Sequence, residues 1–412
     1  MRIATNDERR DGFFNVKGPF TGNADNHYES DWRISALWQP TQAFKALLKL
    51  DYNYIENGGI PAAPYTGSTA NLFNTSSDSH LLGIERQARA VLQLNYVFDN
   101  GITVRSISGY QLGQDWSSRD VDGSDNPLIA EYYHARATDQ TESEEVNILS
   151  PDRGRFRWVV GGVYQKDIVS QPDGTNWLSL APGGTPTFSE ILLADEYRAS
   201  KASWGVFGQG TFDITPDLKL QAGLRYSESS FTLNSLSEAV LFGHPVLGQL
   251  VRNEREKDSR VTGKINLEWS LNADNFFYAF VATGHKGGGI NGIGTLSAVF
   301  PLQPVTPAQA PPTFGPEEVT DYEIGWKASF FDNHLHTQIG GFYNDYRNFQ
   351  VALYQVSTGL GQIENVPGHT QVDGIEAQGE AQFGALSFDF GASYLNTALG
   401  NFSAIEIGRA HV

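Results

Sequence analysis

The chain contains no cysteine, which excludes a disulfide framework and thiolate metal sites. No apolar run approaches the ~20 residues that a membrane-spanning helix needs; Trp158-Val159-Val160-Gly161-Gly162-Val163 is among the longest. Basic charge is also scarce. With 29 Lys and Arg against 47 Asp and Glu, the formal net charge is −18, so phosphates would go unneutralised and nucleic acid is excluded as a partner. Met1-Arg2 leads straight into polar residues, with no apolar core of a signal peptide. No composition break divides the 412 residues into domains.

What the chain does have is aromatic residues, glycine and alternation. It carries 17 Tyr, 25 Phe, 8 Trp and 43 Gly. A mean hydropathy of −0.34 reads as water-soluble, but an alternating lipid and wet face averages to the same value. From Leu218 to Tyr226, Leu218, Leu220, Ala222, Leu224 and Tyr226 oppose Lys219, Gln221, Gly223 and Arg225. From Thr320 to Phe330, Tyr322, Ile324, Trp326, Ala328 and Phe330 oppose Asp321, Glu323, Gly325, Lys327 and Ser329. Phe44 to Tyr54 and Leu386 to Tyr394 repeat the pattern. This is the period of a strand, and helical spacing fits none of these segments.

Turn chemistry punctuates the strands at Pro40-Thr41, Asp99-Asn100-Gly101, Pro151 to Gly154, Thr215-Pro216-Asp217, Asn272-Ala273-Asp274, Asp332-Asn333 and Gly384-Ala385. Long polar stretches lie between them, at 56–80, 117–136, 170–199, 232–256 and 286–317. Seven turns imply about fourteen strands, plus one at the start. Beside the short turns stand Trp38, Phe98, Phe156, Phe212, Trp269, Phe330 and Phe383. On the same outward alternation, Tyr54, Tyr110, Tyr164, Tyr226, Tyr343 and Tyr394 follow roughly nine or ten residues after a turn. Nine residues at ~3.3 Å rise and ~45° tilt climb about 21 Å, close to the ~25 Å apolar band between two aromatic girdles. The pattern predicts an all-β, transmembrane, antiparallel up-and-down β-barrel. A propeller would instead need four shorter strands per ~40–45 residues.

Several segments, in order, carry a resemblance. Phe314-Gly315-Pro316-Glu317-Glu318-Val319-Thr320-Asp321-Tyr322-Glu323-Ile324-Gly325-Trp326-Lys327 resembles the Pro-Glu…Tyr-Glu-x-Gly-x-Lys signature of TonB-dependent receptors, particularly the sphingomonad type. Phe342 to Tyr346, Asn365-Val366 and Asp373-Gly374-Ile375-Glu376 continue in the family's order, and Trp204 to Tyr226 and Tyr278 to Asn291 are similar to its hairpins. The resemblance implies a barrel of about 22 strands around a plug, taking up a scarce nutrient (siderophore-iron, cobalamin or oligosaccharide) with energy relayed by TonB. It implies a Gram-negative outer-membrane location, with membrane lipid and lipopolysaccharide, the TonB complex and a small-molecule ligand as partners. Neither plug, TonB box nor closing strand is recognisable, so the chain is expected to be a fragment with about 14–15 of those strands over residues 1–405 and its true start upstream of Met1. Residues 406–412 are expected to be a non-native tail, since Ile407 to Val412 match the translation of a widespread sequencing adapter. In the family, glutamates at the Tyr-Glu-x-Gly and Gly-x-Glu positions resemble barrel partners of plug arginines. Here these are Glu323 and Glu376.

Other motifs carry less. Gly287-Gly288-Gly289-Ile290-Asn291-Gly292 matches G-x-G-x-x-G, but a Pro-rich segment follows where a dinucleotide site needs a helix, and a flexible loop is expected. His334 and His336 lack an evident third metal ligand. Asp120, Asp122 and Asp125 read as a solvated acidic loop, and Gly123 is misplaced for an EF-hand. Glu142, Glu144 and Glu145 read as a wet strand wall rather than paired catalytic carboxylates. Tyr132, Tyr133 and Trp177 are candidate ligand-stacking loop aromatics. No H-E-x-x-H, G-x-S-x-G or P-loop occurs. The expectation is a transporter, not an enzyme, with no cofactor and no metal. The competing readings are a passive porin or surface adhesin on a similar barrel, and a secreted β-rich glycan-active enzyme.

Overall fold

Alternation of period 2 puts successive side chains on opposite faces of an extended chain, and strands form wherever it runs. The computed structural model describes residues 1–18, 24–59, 73–120, 123–125, 130–179, 190–241, 244–291, 312–355 and 360–401. The first strands are β1 (Arg2–Arg10), β2 (Asn15–Lys17), β3 (His27–Trp38), β4 (Phe44–Asn57), β5 (Asn74–Ser76), β6 (Leu82–Val97) and β7 (Thr103–Asp120). Next come β8 (Ala130–Leu149), β9 (Phe156–Ser179), β10 (Glu190–Asp213), β11 (Leu218–Leu241), β12 (His244–Asn272) and β13 (Asn275–Lys286). The last are β14 (Gly289–Ile290), β15 (Thr313–Phe314), β16 (Glu317–Phe330), β17 (Leu335–Gln355), β18 (Leu360–Phe383) and β19 (Leu386–Ala398).

A single 15-stranded sheet contains all but four of these, in the order β1-β3-β4-β6-β7-β8-β9-β10-β11-β12-β13-β16-β17-β18-β19. Each strand runs antiparallel to the next. The sheet is the wall of an incomplete up-and-down barrel whose edges are β1 and β19. The short strands pair separately, β2 parallel to β5 and β14 antiparallel to β15. Among the described residues there is no helix.

The seven expected turns each join two neighbouring strands. In the β6–β7 turn Gly101 takes a φ of 85°, which a side chain disfavours, and Asn100 Oδ1 accepts the Ile102 N–H at 3.0 Å. On the other side the expectation needs correction. The stretches 170–199 and 232–256 are largely strand, because β9 to β12 run 24, 24, 24 and 29 residues. Only ~9–11 residues are needed to cross a bilayer. The excess continues the backbone pairing beyond the length that a crossing needs.

Apolar side chains are on the outside. On the outward alternation Leu224, Ile324 and Ile265 are 68%, 64% and 62% exposed, a band that water would disfavour and lipid would cover. Trp38, Phe98, Phe156, Phe212, Trp269, Phe330 and Phe383 are all exposed beside the short turns. They extend into a ring: Trp269 lies 5.8 Å from Phe277, Phe277 stacks on Trp326 at 6.1 Å, and Trp326 meets Phe330 at 6.0 Å. Tyr110, Tyr164, Tyr343 and Tyr394 are exposed at the far side. Tyr54 and Tyr226 share that alternation but are half-buried, Tyr226 against Trp204 at 5.5 Å.

Carboxylates also stand on the outward face. Glu144 shares its alternation with the exposed Val146 and Ile148 and pairs with Tyr164. It therefore faces outward, as does Glu142, and only Glu145 belongs to the lumen side. The Ser106 and Ser108 hydroxyls both donate to Glu144, satisfying a charge set among the outer tyrosines. Sequence alone could not see the serines, which come from the neighbouring strand.

Candidate lumen site

Inward from Phe277, Ala279 and Val281 the alternate residues of β13 are Phe276, Tyr278 and Phe280. Their rings form a ladder on the lumen wall, with centroids 6.3 Å and 6.5 Å apart. Amines flank it: Lys264 Nζ lies 4.0 Å from the Phe280 centroid and Lys327 Nζ 5.9 Å from that of Tyr278.

The register then builds a niche beside the ladder. Tyr278 pairs with Gly325, Gly325 with Gly340, and Gly340 with Glu376. Two glycines thus clear the wall between Tyr278 and Glu376. Gly325 is needed, because a methyl there would stand 2.3 Å from the Tyr278 ring. Across this bare backbone Tyr278 leans to Glu323 on β16, donating its O–H to Oε1 at 2.6 Å. Glu323, Glu376, Tyr278, Gln338 and Phe342 line one cavity of ≈ 360 Å³. The structure therefore brings the two sequence-selected glutamates into the same niche. Tyr278 is a niche residue absent from the sequence-selected pair, although its alternation with the outward Phe277 and Ala279 places it on the lumen face.

Carboxylates at two walls of a cleft, with a hydroxyl fixing one of them, suit a guanidinium or an amine. Replacing Gly325 by Ala is expected to tilt the Tyr278 ring away, break its bond to Glu323 and cost about 1–3 kcal/mol. The measurement is the urea midpoint of the vesicle-folded receptor with G325A, Y278A and both. If G325A costs as much when Tyr278 is already Ala, the contact is not the cause.

The other candidates are scattered. Tyr132 and Trp177 stand on paired strands, directly opposite in the β8–β9 register, rather than on loops. Tyr133, also on β8, lies under Arg119, whose Cζ is 4.8 Å from the ring. His334 packs on Phe383 at 5.5 Å while His336 meets Ser329 at 3.0 Å, so the two do not converge. Asp120 is buried and accepts the N–H groups of Asp78 and Gly123. Asp122 lies outside the described residues, among which no acidic or histidine cluster fit for a metal occurs. The suspected tail at 406–412 also lies outside them.

Residues 10–408 match the family model described as TonB dependent receptor-like, beta-barrel. The fold is similar to that of the ferric yersiniabactin uptake receptor FyuA from Yersinia pestis, with a TM-score of 0.73 at 14% identity over 97% of this chain and 56% of that one. The siderophore receptor PiuA from Acinetobacter baumannii gives 0.69 at 17% identity, over 99% and 61%. The copper transporter OprC gives 0.66 at 14% identity, over 95% and 56%. The chain thus spans between half and two thirds of the length of the solved structures it matches.

Proposed function

The chain belongs to the TonB-dependent receptor family, and on that premise we propose that it forms wall of a Gram-negative outer-membrane receptor that imports a scarce nutrient. The exposed apolar alternation bounded by two aromatic girdles carries this reading, because that surface is at home only in a bilayer. Transport makes or breaks no bond in the ligand, and the lumen niche enters this reading as a place that holds charge. Fold does not name the cargo; among siderophore-iron, cobalamin and oligosaccharide, the metal-linked cargoes named for FyuA, PiuA and OprC favour a metal chelate. The direct test is uptake of radiolabelled ferric siderophores by cells carrying the full-length receptor, with and without TonB. Saturable, TonB-dependent accumulation is expected; uptake that ignores TonB would make it a passive pore.

Glu323 and Glu376 would latch a plug through arginine. A bidentate arginine–carboxylate pair is strong when shielded from bulk water, yet a pull can break it bond by bond. The 2.6 Å bond from Tyr278 holds Glu323 toward the niche. With E323Q and E376Q together in the full-length receptor, the barrel should assemble normally and leak large antibiotics. Unchanged permeability with intact transport would reduce both residues to hydrated lining.

A further inference from the structure

The segment that follows β13 was expected to be flexible, and the described part of it is not. We infer that residues 287–291 and 312–316 form a fixed brace across the extracellular mouth, closing the wall where strand pairing stops and narrowing the entry path. The β12–β13 ladder ends at Lys264 and Ala282. Beyond it side chains take over from backbone: Gly263 N–H donates to Thr283 Oγ1 at 2.9 Å, His285 pairs with Asp258, and Arg260 pairs with Glu318. The brace lies over this split.

Its contacts fix its side of the wall. The β14–β15 ribbon touches β11 and β12 at one end and β18 at the other, although β13, β16 and β17 separate these in the sheet. A methyl at Gly287 would stand 3.3 Å from Ser229 Oγ and 3.8 Å from Asp258 Oδ2. Ser229 and Asp258 alternate with the outward Tyr226 and Val261, so they face the lumen, and the ribbon crosses inside. The glycine run serves close packing rather than freedom: added methyls would lie 2.6 Å from the Phe314 carbonyl at Gly288 and 2.4 Å from the Phe314 ring at Gly289.

Side-chain amides pin it as substitute ladder rungs. Asn291 Nδ2 donates to the Ile363 carbonyl at 3.0 Å, and Ile363 N–H donates to Asn291 Oδ1 at 2.8 Å. Asn365 repeats the device on Gly315, at 2.9 Å and 2.6 Å. Gln350 Nε2 donates to the carbonyls of Gly287 and Gly315, both at 3.0 Å, and Arg252 donates to the Asn291 carbonyl. Ile290 and Asn291 are buried. Paired donors and acceptors out of water make strand-like rigidity, and a gate would need to break all of them at once.

The test uses the absence of cysteine from this chain, with any cysteine elsewhere in the full-length receptor first replaced by serine. Asn291→Cys with Ile363→Cys in the full-length receptor should be joined by a short, cleavable thiol crosslinker without ligand, and the joined receptor should transport within about twofold of its uncrosslinked form. Poor crosslinking, or transport lost on crosslinking and restored on cleavage, would make the segment a moving gate. Hydrogen exchange in the unaltered receptor guards against a folding defect: the Asn291, Gly315 and Ile363 amides should exchange on the order of 100-fold slower than unstructured chain. Fast exchange there would overturn the brace. The inference rests on the barrel being a transport path. Crosslinking and exchange report the brace even if nothing is transported, whereas failure of the uncrosslinked receptor to transport would strike the functional reading instead.

Discussion

Refolded alone into lipid vesicles, residues 1–412 are expected to yield aggregates rather than a heat-resistant monomer. The open sheet ends at β1 and β19, and β19 is exposed along all 13 of its residues. Lipid cannot satisfy the outward N–H and C=O groups of such an edge, each costing about 2–7 kcal/mol. Over a bilayer crossing that outweighs the 5–15 kcal/mol by which folded domains are usually stable. Two free edges also template pairing between copies. Unboiled gel migration and protease protection measure the outcome. A compact, protease-resistant monomer would mean that β1 and β19 pair with each other in lipid, and the open wall would be wrong.

Arginine at Ile265 is expected to cost ~2–4 kcal/mol of folding free energy in a bilayer. The side chain is 62% exposed, pairs with Ala222, and stands midway between Trp269 and Val261 on its strand. Its charged replacement would face hydrocarbon at the centre of the band, with only long-range snorkelling to relieve it. Arginine at Gln221, one residue before Ala222 and turned to the lumen, should cost far less, since water reaches it. Urea titration of the receptor folded in vesicles compares the two. Equal costs at Ile265 and Gln221 would remove the sidedness on which the membrane reading stands.

The outward face of Leu218 to Tyr226 was legible because burial alternates with every residue, and a one-residue slip would turn all of it inside out. Turn chemistry placed the hairpins for a similar reason: Asn100-Gly101 and Thr215-Pro216-Asp217 each act within four residues. The strand ends beyond the membrane were not legible. Within 232–256 the pairing of β11 with β12 persists where the sequence shows no sustained alternation to announce it. Glu144 departs from the wet wall expected of Glu142, Glu144 and Glu145, because its alternation with Val146 and Ile148 sends it outward and the two serines that hold it come from β7.

The sequence by itself determined the all-β class, the hairpin order, the fifteen strands and the faces of the strands where alternation is sustained, because alternation and turn propensity are local properties of a few consecutive residues. Tertiary structure alone decided which of those residues meet. Tyr278 reaches Glu323 over Gly325 across 45 residues of chain, and Asn291 clasps Ile363 across 72. Such meetings depend on the register of whole strands and on where a ladder stops, as it does at Lys264. Register accumulates from strand to strand through shear, so no short window of sequence contains it.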